Sequence, residues 1–283
     1  NAVAMFLMTY SQIYSRPKLL LSTPGWPNHL GMAKYFNYHT STYHHLQNNS
    51  YNFEAHATAI KNLPPNSLVL FQSGPTHNPT GTNPTKSQWQ ELCTLMTDKV
   101  ALFDAAYLGL GESIPNDCDP INYFISKGVS IAVAVSFAKN TGLYNQRPGA
   151  LLIPQFSRRQ TLAMQRMLNS MSRFIYSSPP AQGERLIAHI LSNPTLSAQW
   201  QNQVSRIKET INLRRCTLAQ LLPQFDFISK QHGLFSILPV SQSQVFKLRA
   251  DFGVYLTDSG RINIGSIPSY QLSYLAQALD KSL

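Results

Sequence analysis

The chain has 283 residues, of which 43% are hydrophobic and only 13% charged, with a formal net charge of +10. Such a length supports one large core or two modest ones, and no apolar run reaches the ~18 residues of a membrane-spanning helix. The positive charge invites a nucleic-acid reading, but the basic residues are scattered and form no Lys/Arg-rich arm, so a solvated basic surface is expected and a nucleic-acid partner is not. The densest groups, Arg158-Arg159 and Arg214-Arg215, fall on predicted helices. Cys93, Cys118 and Cys216 are odd in number, widely spaced and free of any CxxC. They fit a reducing, cytoplasmic setting and exclude a disulfide framework or a zinc cluster. The histidines lack ligand spacing as well; the close pair His44-His45 sits in a polar stretch that reads as loop.

In chain order, "KLLLS" (18–22), "SLVLFQ" (67–72), "VALFDAAY" (100–107), "SIAVAVSF" (130–137) and "ALLIP" (150–154) read as strands buried on both faces. Amphipathic stretches such as "TKSQWQELCTLMTDK" (85–99) lie between them. Strand and helix in alternation predict an α/β domain built on a largely parallel sheet. After Pro154 the pattern changes to long helices. One covers 157–175 with Ser157 as N-cap. Another runs from Pro194, a first-turn proline, to Leu222, with an apolar stripe of Trp200, Val204, Ile207, Ile211 and Leu218 at helical spacing. "FISKQHGLFSIL", "GVYLTD" and "RINIG" read as strands, followed by a helix over 269–282. A boundary near 195 therefore divides a large α/β domain (1–195) from a smaller α+β one (196–283).

In α/β sheets ligands gather at the carboxyl ends of the strands, and polar residues collect there. "PGWPNH" (24–29) follows the first strand and "HNPTG" (77–81) the second; Asp104 and Tyr107 close the third, Ser136 and Lys139 the fourth, and Arg147 comes next. Lys139 stands out. A lysine ending a buried strand is costly unless it reaches solvent or does chemistry. Each of the others has an ordinary alternative: Asp104 as a turn former, "HNPTG" as a turn, Trp26 as a packed aromatic.

Taken together, these segments resemble the aspartate and aromatic amino-acid aminotransferases, pyridoxal-phosphate enzymes of fold type I. The resemblance rests on "PGWPNH", "HNPTGTNPTKSQWQEL", "FDAAYLGLG", "SFAKNTGLYNQRPGA", "RFIYSSPPAQG", "GLFSIL" and "FGVYLTDSGRINIG", in family order. It implies that Lys139 is the Schiff-base lysine, whose amine must be partly deprotonated near neutral pH. Asp104 would hold the pyridine nitrogen protonated, with His29 behind it. Asn78 and Tyr107 would hydrogen-bond the ring oxygen, and Trp26 would stack on the ring. Ser136 and Arg147 would grip the phosphate. Arg261 would clamp the substrate α-carboxylate, where Asn78 and Trp26 also contact substrate. Arg173, ahead of "YSSPP", would reach into the neighbouring subunit's site of a homodimer and pair with a side-chain carboxylate. The implied substrates are amino acids, aspartate or aromatic, and 2-oxo acids such as 2-oxoglutarate.

Some positions depart from the family pattern. Ala138 stands where a small hydroxyl residue is common, and Leu108 and Leu110 replace a polar-then-Phe pair. "NAVAMFLMTY" resembles the helix that follows the family's Gly-rich phosphate loop, so the loop and the segment before it are expected to lie outside this sequence. The alternative on the same residues is a shortened, catalytically impaired remnant acting as a dimeric scaffold.

Overall fold

The computed structural model describes residues 1–73, 76–154 and 157–282. Helix α1 (Ala2–Ile13) leads into β1 (Lys18–Thr23), α2 (Pro27–Tyr35), β2 (His39–His44), the short β3 (Leu46–Gln47) and β4 (Ser50–Tyr51), and α3 (Phe53–Lys61). Then come β5 (Leu68–Gln72), α4 (Lys86–Thr94), β6 (Val100–Ala105), α5 (Ile114–Ser126), β7 (Ser130–Ser136) and β8 (Gly149–Leu152). Three helices follow, α6 (Arg158–Ile175), α7 (Gln182–Ser192) and α8 (Pro194–Leu221), and the chain closes with β9 (Phe235–Ile237), α9 (Gln242–Phe252), β10 (Arg261–Asn263) and α10 (Leu272–Asp280). None of the helices among the described residues is long and apolar enough to cross a membrane.

The principal sheet has the order β2-β1-β5-β6-β7-β8. Its strands run parallel except β8, which pairs antiparallel with β7. Successive side chains of a strand point to opposite faces, and the two faces of this sheet make two cores. On one, Leu20, Val69, Phe71, Phe103 and Val133 pack against Trp89 and Leu92 of α4 and Phe124 of α5. On the other, Leu19, Leu21, Leu70, Leu102 and Ala134 pack against Phe6, Leu7 and Tyr10 of α1. Side-chain caps fix the helix starts. Thr85 opens α4 and Ser157 opens α6, each in a capping box, and Asn193 accepts from the Thr195 and Leu196 amides before Pro194.

A further core gathers Ile211 and Leu218 of α8 with Phe225, Leu238, Val245, Leu248, Ile262, Leu275 and Leu279. The N-terminal half of α8 lies elsewhere: Val204 packs with Ala106, Tyr107 and Leu110, and Trp200 beside them. One helix thus touches the end of β6 and the C-terminal core. Residue 195 lies in the first turn of this helix.

Several expectations need correction. β2 is an edge strand whose outer side meets water, so a polar sequence suffices, and His44 belongs to it rather than to a loop. β8 is apolar in sequence but mostly exposed, being at the other edge. In "FISKQHGLFSIL" only Phe235–Ile237 is strand, and Pro223–Lys230 forms 3-10 turns. "GVYLTD" is not a strand: Gly253, with φ 61, caps α9, and the Val254 amide donates back to Leu248. Helix α9 itself has too polar a sequence to stand out. Ile207 is exposed rather than part of the α8 stripe, and Arg215, far from solvated, is only 1% exposed.

Candidate active site

At the carboxyl end of the sheet, register places Gln72 of β5 opposite Asp104 of β6, and Asp104 opposite Ala134 of β7. The loop after β1 delivers Trp26 as the residue preceding α2, with Pro27 in its first turn. One turn along, buried His29 places Nε2 2.9 Å from the Asp104 Oδ2, and the Trp26 ring stands edge-on to the imidazole at 5.0 Å. The Asp104 side chain keeps 14% of its surface exposed. It is a carboxylate braced from behind by an imidazole, with one edge free in the cavity.

Lys139 occupies the turn after β7. That turn is pinned on both sides: Asn140 Nδ2 donates to the Leu108 carbonyl at 3.1 Å and Trp200 Nε1 donates to the Asn140 carbonyl at 2.9 Å. Ser136 Oγ accepts from the Ala138 amide. The Lys139 ammonium lies 4.2 Å from the centroid of the Tyr107 ring. Burial lowers the Lys139 pKa below the ordinary lysine value, Arg147 lowers it further and Asp104 opposes both. This is the direction in which an amine becomes a usable nucleophile and base.

A polar chain crosses the site. Asn78 Nδ2 donates to the Tyr107 hydroxyl at 3.3 Å, and Arg261 Nη1 donates to Asn78 Oδ1 at 3.3 Å. Burial raises the Tyr107 pKa above the ordinary phenol value. The Arg261 guanidinium lies 5.0 Å from the Phe235 ring centroid, and Phe235 stands edge-on to Tyr107 at 6.1 Å. Arg261 makes no ion pair among the described residues. β10 carries it, held by antiparallel pairing with β9. Arg147 adopts a left-handed conformation, φ 53; its guanidinium donates to the Tyr144 carbonyl at 2.9 Å.

Trp26, Asn78, Asp104, Tyr107, Ser136, Lys139, Arg147 and Arg261 all line one cavity of about 770 Å³, within the size range of small-molecule and cofactor sites. His29 stands behind Asp104 rather than in the wall. Arg173, on the last turn of α6, is exposed and does not line the cavity, although its neighbour Ser172 does. Gln72, Tyr144 and Phe235 also line it without having been anticipated. Gln72 had a signal, as a polar residue ending a central strand, and Tyr144 had its place between Lys139 and Arg147; Phe235 had none short of the folded C-terminal part. The donor set fits pyridoxal phosphate: an anionic partner for a ring nitrogen, donors beside Tyr107, a lysine of lowered basicity, and Arg147 with Ser136 for a phosphate.

A doubly covered, mostly parallel sheet with a buried lysine, a histidine-braced carboxylate and two arginines around one cavity defines an α/β protein of the kind that holds a small-molecule site at the carboxyl ends of its strands. The family model described as "Aminotransferase class I and II" matches residues 1–279, and the chain belongs to that family. It is 34% identical to the aspartate aminotransferase of Salmonella typhi over 93% of this chain and 68% of that protein. It is 33% identical to the Escherichia coli (strain K12) aspartate aminotransferase with the same coverage. Among solved structures, the aromatic-amino-acid aminotransferase of Burkholderia pseudomallei, covalently bound to pyridoxal phosphate, superposes with a TM-score of 0.95 at 28% identity, over 100% of this chain and 73% of that one. The aspartate aminotransferase of Trypanosoma cruzi gives 0.92 at 27% identity, over 99% and 74%. The fold is that of the fold type I aminotransferases, and the chain is an aminotransferase.

Proposed function

We propose that this chain binds pyridoxal phosphate on Lys139 and, as a homodimer, transfers an amino group between aspartate or an aromatic amino acid and a 2-oxo acid such as 2-oxoglutarate. The observation that carries this reading is the convergence of Lys139, the Asp104–His29 pair, the Asn78–Tyr107 pair and Arg261 on one cavity. The bound cofactor supplies an electron sink for the carbanion at the substrate Cα. The protein does the rest. Asp104, oriented by His29, keeps a proton on the ring nitrogen. Asn78 and Tyr107 would hydrogen-bond the ring oxygen, Trp26 would cover the ring face, and Arg147 and Ser136 would hold the phosphate.

Arg261, which makes no ion pair among the described residues and rests on Phe235, binds the α-carboxylate as a two-pronged clamp and so fixes which bond at Cα faces Lys139. Once substrate displaced it from the cofactor, the Lys139 amine, its basicity lowered by burial, would be the base placed to take the proton from the substrate Cα. Residues 196–283, with α8 as bridge, form the smaller domain that brings Arg261 to the site. Helix α6 has no buried residue and ends on Phe174, 85% exposed, and Ile175, 56% exposed, an apolar surface suited to a second copy. In that dimer Arg173 would serve the partner's site and pair with an acidic substrate side chain. Free Cys93, Cys118 and Cys216 suit a cytoplasmic location.

The test adds pyridoxal phosphate to the chain and follows visible absorbance. A band that forms in the native sequence and is lost in Lys139→Ala is expected, followed by amino exchange between 2-oxoglutarate and aspartate or phenylalanine. No band in the native sequence would refute the reading.

A further inference from the structure

Asn78 joins Tyr107 to Arg261, yet it belongs to no helix or strand, so its backbone has no ladder to hold it. Both of its main-chain groups are met by one side chain. Gln72 Oε1 accepts from the Asn78 amide at 2.8 Å, and Gln72 Nε2 donates to the Asn78 carbonyl at 3.0 Å. We propose that Gln72 is the positioning residue that sets Asn78, and through it the strength of the hydrogen bonds at the ring oxygen of the cofactor. The inference rests on the cofactor reading above.

The clamp is itself anchored. Gln72 ends β5, an interior strand, is 8% exposed and lies in register with Asp104. Its own carbonyl accepts from Asn83 Nδ2 at 3.2 Å, while Asn83 Oδ1 accepts from the His77 amide at 2.9 Å. Two side-chain amides therefore stitch residues 77 and 78 onto the sheet end that carries Asp104. A planar amide bonded at both ends removes rotation as well as translation. That matters because both side-chain contacts of Asn78 are 3.3 Å long, near the outer limit for a hydrogen bond, where a few tenths of an ångström decide whether the bond persists. Unheld, Asn78 would lose its grip on Tyr107 and Arg261 together.

The test uses the 283-residue chain loaded with pyridoxal phosphate, and Gln72→Met and Gln72→Glu. The first removes both clamp bonds at constant length. The second keeps an acceptor for the Asn78 amide but faces a carboxylate oxygen to its carbonyl. Gln72→Asn, which withdraws the amide by one methylene, stands in if either variant does not fold. The readout is the pH midpoint at which the visible band of the lysine-linked cofactor changes. Weaker donation to the ring oxygen leaves that oxygen more basic, and the linkage then keeps its proton to higher pH.

The expected result is an upward shift of about half to one pH unit, the worth of one hydrogen bond, with an increased KM for the 2-oxo acid as Arg261 loses its stop. A purely structural role would change thermal stability and leave the midpoint in place. Loaded variants that titrate with the native midpoint would overturn the assignment. Failure of the native chain to form the band would overturn the cofactor reading beneath it, which keeps the two failures apart.

Discussion

Three buried histidines predict a sharp loss of stability in mild acid. His45 stacks on His77 with centroids 3.6 Å apart, and His56 stacks on Tyr43 at 3.9 Å. His45 is engaged by the Tyr43 hydroxyl and the Thr82 carbonyl, and His77 by Ser22 and Thr80. No carboxylate faces any of them among the described residues. Burial brings the His45 pKa down from 6.5 to about 4. Burial first and the neighbouring imidazoles second push His56 and His77 well below the ordinary value. In the unfolded chain each takes up a proton near 6.5, whereas the folded protein resists it. The unfolded state therefore binds more protons, and stability is full above about pH 6.5 and declines as pH falls toward 4. For His45 alone a shift from 6.5 to 4 amounts to about 3.4 kcal/mol when complete, and about 2 kcal/mol of it is gone by pH 5. His56 and His77 add in the same direction. Urea unfolding followed by circular dichroism between pH 7.5 and 5, above the range in which most carboxylates titrate, measures this directly. The midpoint should fall steadily, and His45→Gln should flatten part of the slope. A midpoint constant across that range would refute the argument.

Other perturbations test the framework around the site. Arg215 has no acidic partner among the described residues; it donates instead to the carbonyls of Ile228, His232, Gly233 and Phe235 and to Ser236 Oγ. Arg215→Met strands those acceptors and should cost more than about 2 kcal/mol in chemical denaturation, since each buried group left without its partner costs about 1–3 kcal/mol. Gly233 has φ +72, and an added Cβ would lie 2.8 Å from the Thr76 Cβ, so Gly233→Ala should destabilise by more than about 1 kcal/mol, against a gain of about 0.5–1 kcal/mol for Gly31→Ala within α2, where a Cβ meets nothing. Buried Asp117 accepts from the amides of Gly109, Gly111 and Glu112 and so shapes the loop after Tyr107. Asp117→Asn keeps a single acceptor oxygen, and a loss of about 2 kcal/mol in thermal unfolding is expected.

Much of this architecture was legible in the sequence because its signals are local. β6 and β7 are continuous apolar runs that read as interior strands and prove to be so, and their carboxyl ends announce Asp104 and Lys139 through polarity in an apolar context. The Asn193-Pro194 start of α8 is equally local. What escaped depends on partners distant in sequence. Arg215 looks like any helical arginine until the 228–236 turn folds over it. β8 reads as buried because only the sheet order reveals it as an edge. "GVYLTD" alternates like a strand, but its first residues are consumed in ending α9. Gln72 becomes interpretable only when Asn78, six residues on, is seen to turn back onto it. Arg173 shows the opposite case: its motif carries the whole argument, and a single chain leaves it in solvent.

The antiparallel ribbon of β9 and β10 brings Phe235 and Arg261 to residues that β5 and β6 delivered far earlier in the chain; Arg261 and Asn78 are 183 positions apart. The pocket is thus assembled from residues far apart in the chain. A growing polypeptide contains Asp104 and Lys139 long before Arg261, so the cavity acquires its full lining only after the β9–β10 ribbon has been made. Once formed, any ligand held by Arg261 and Lys139 together fastens the C-terminal core to the sheet and stabilises it by mass action. Resistance of the 240–282 region to proteolysis should therefore report ligand occupancy.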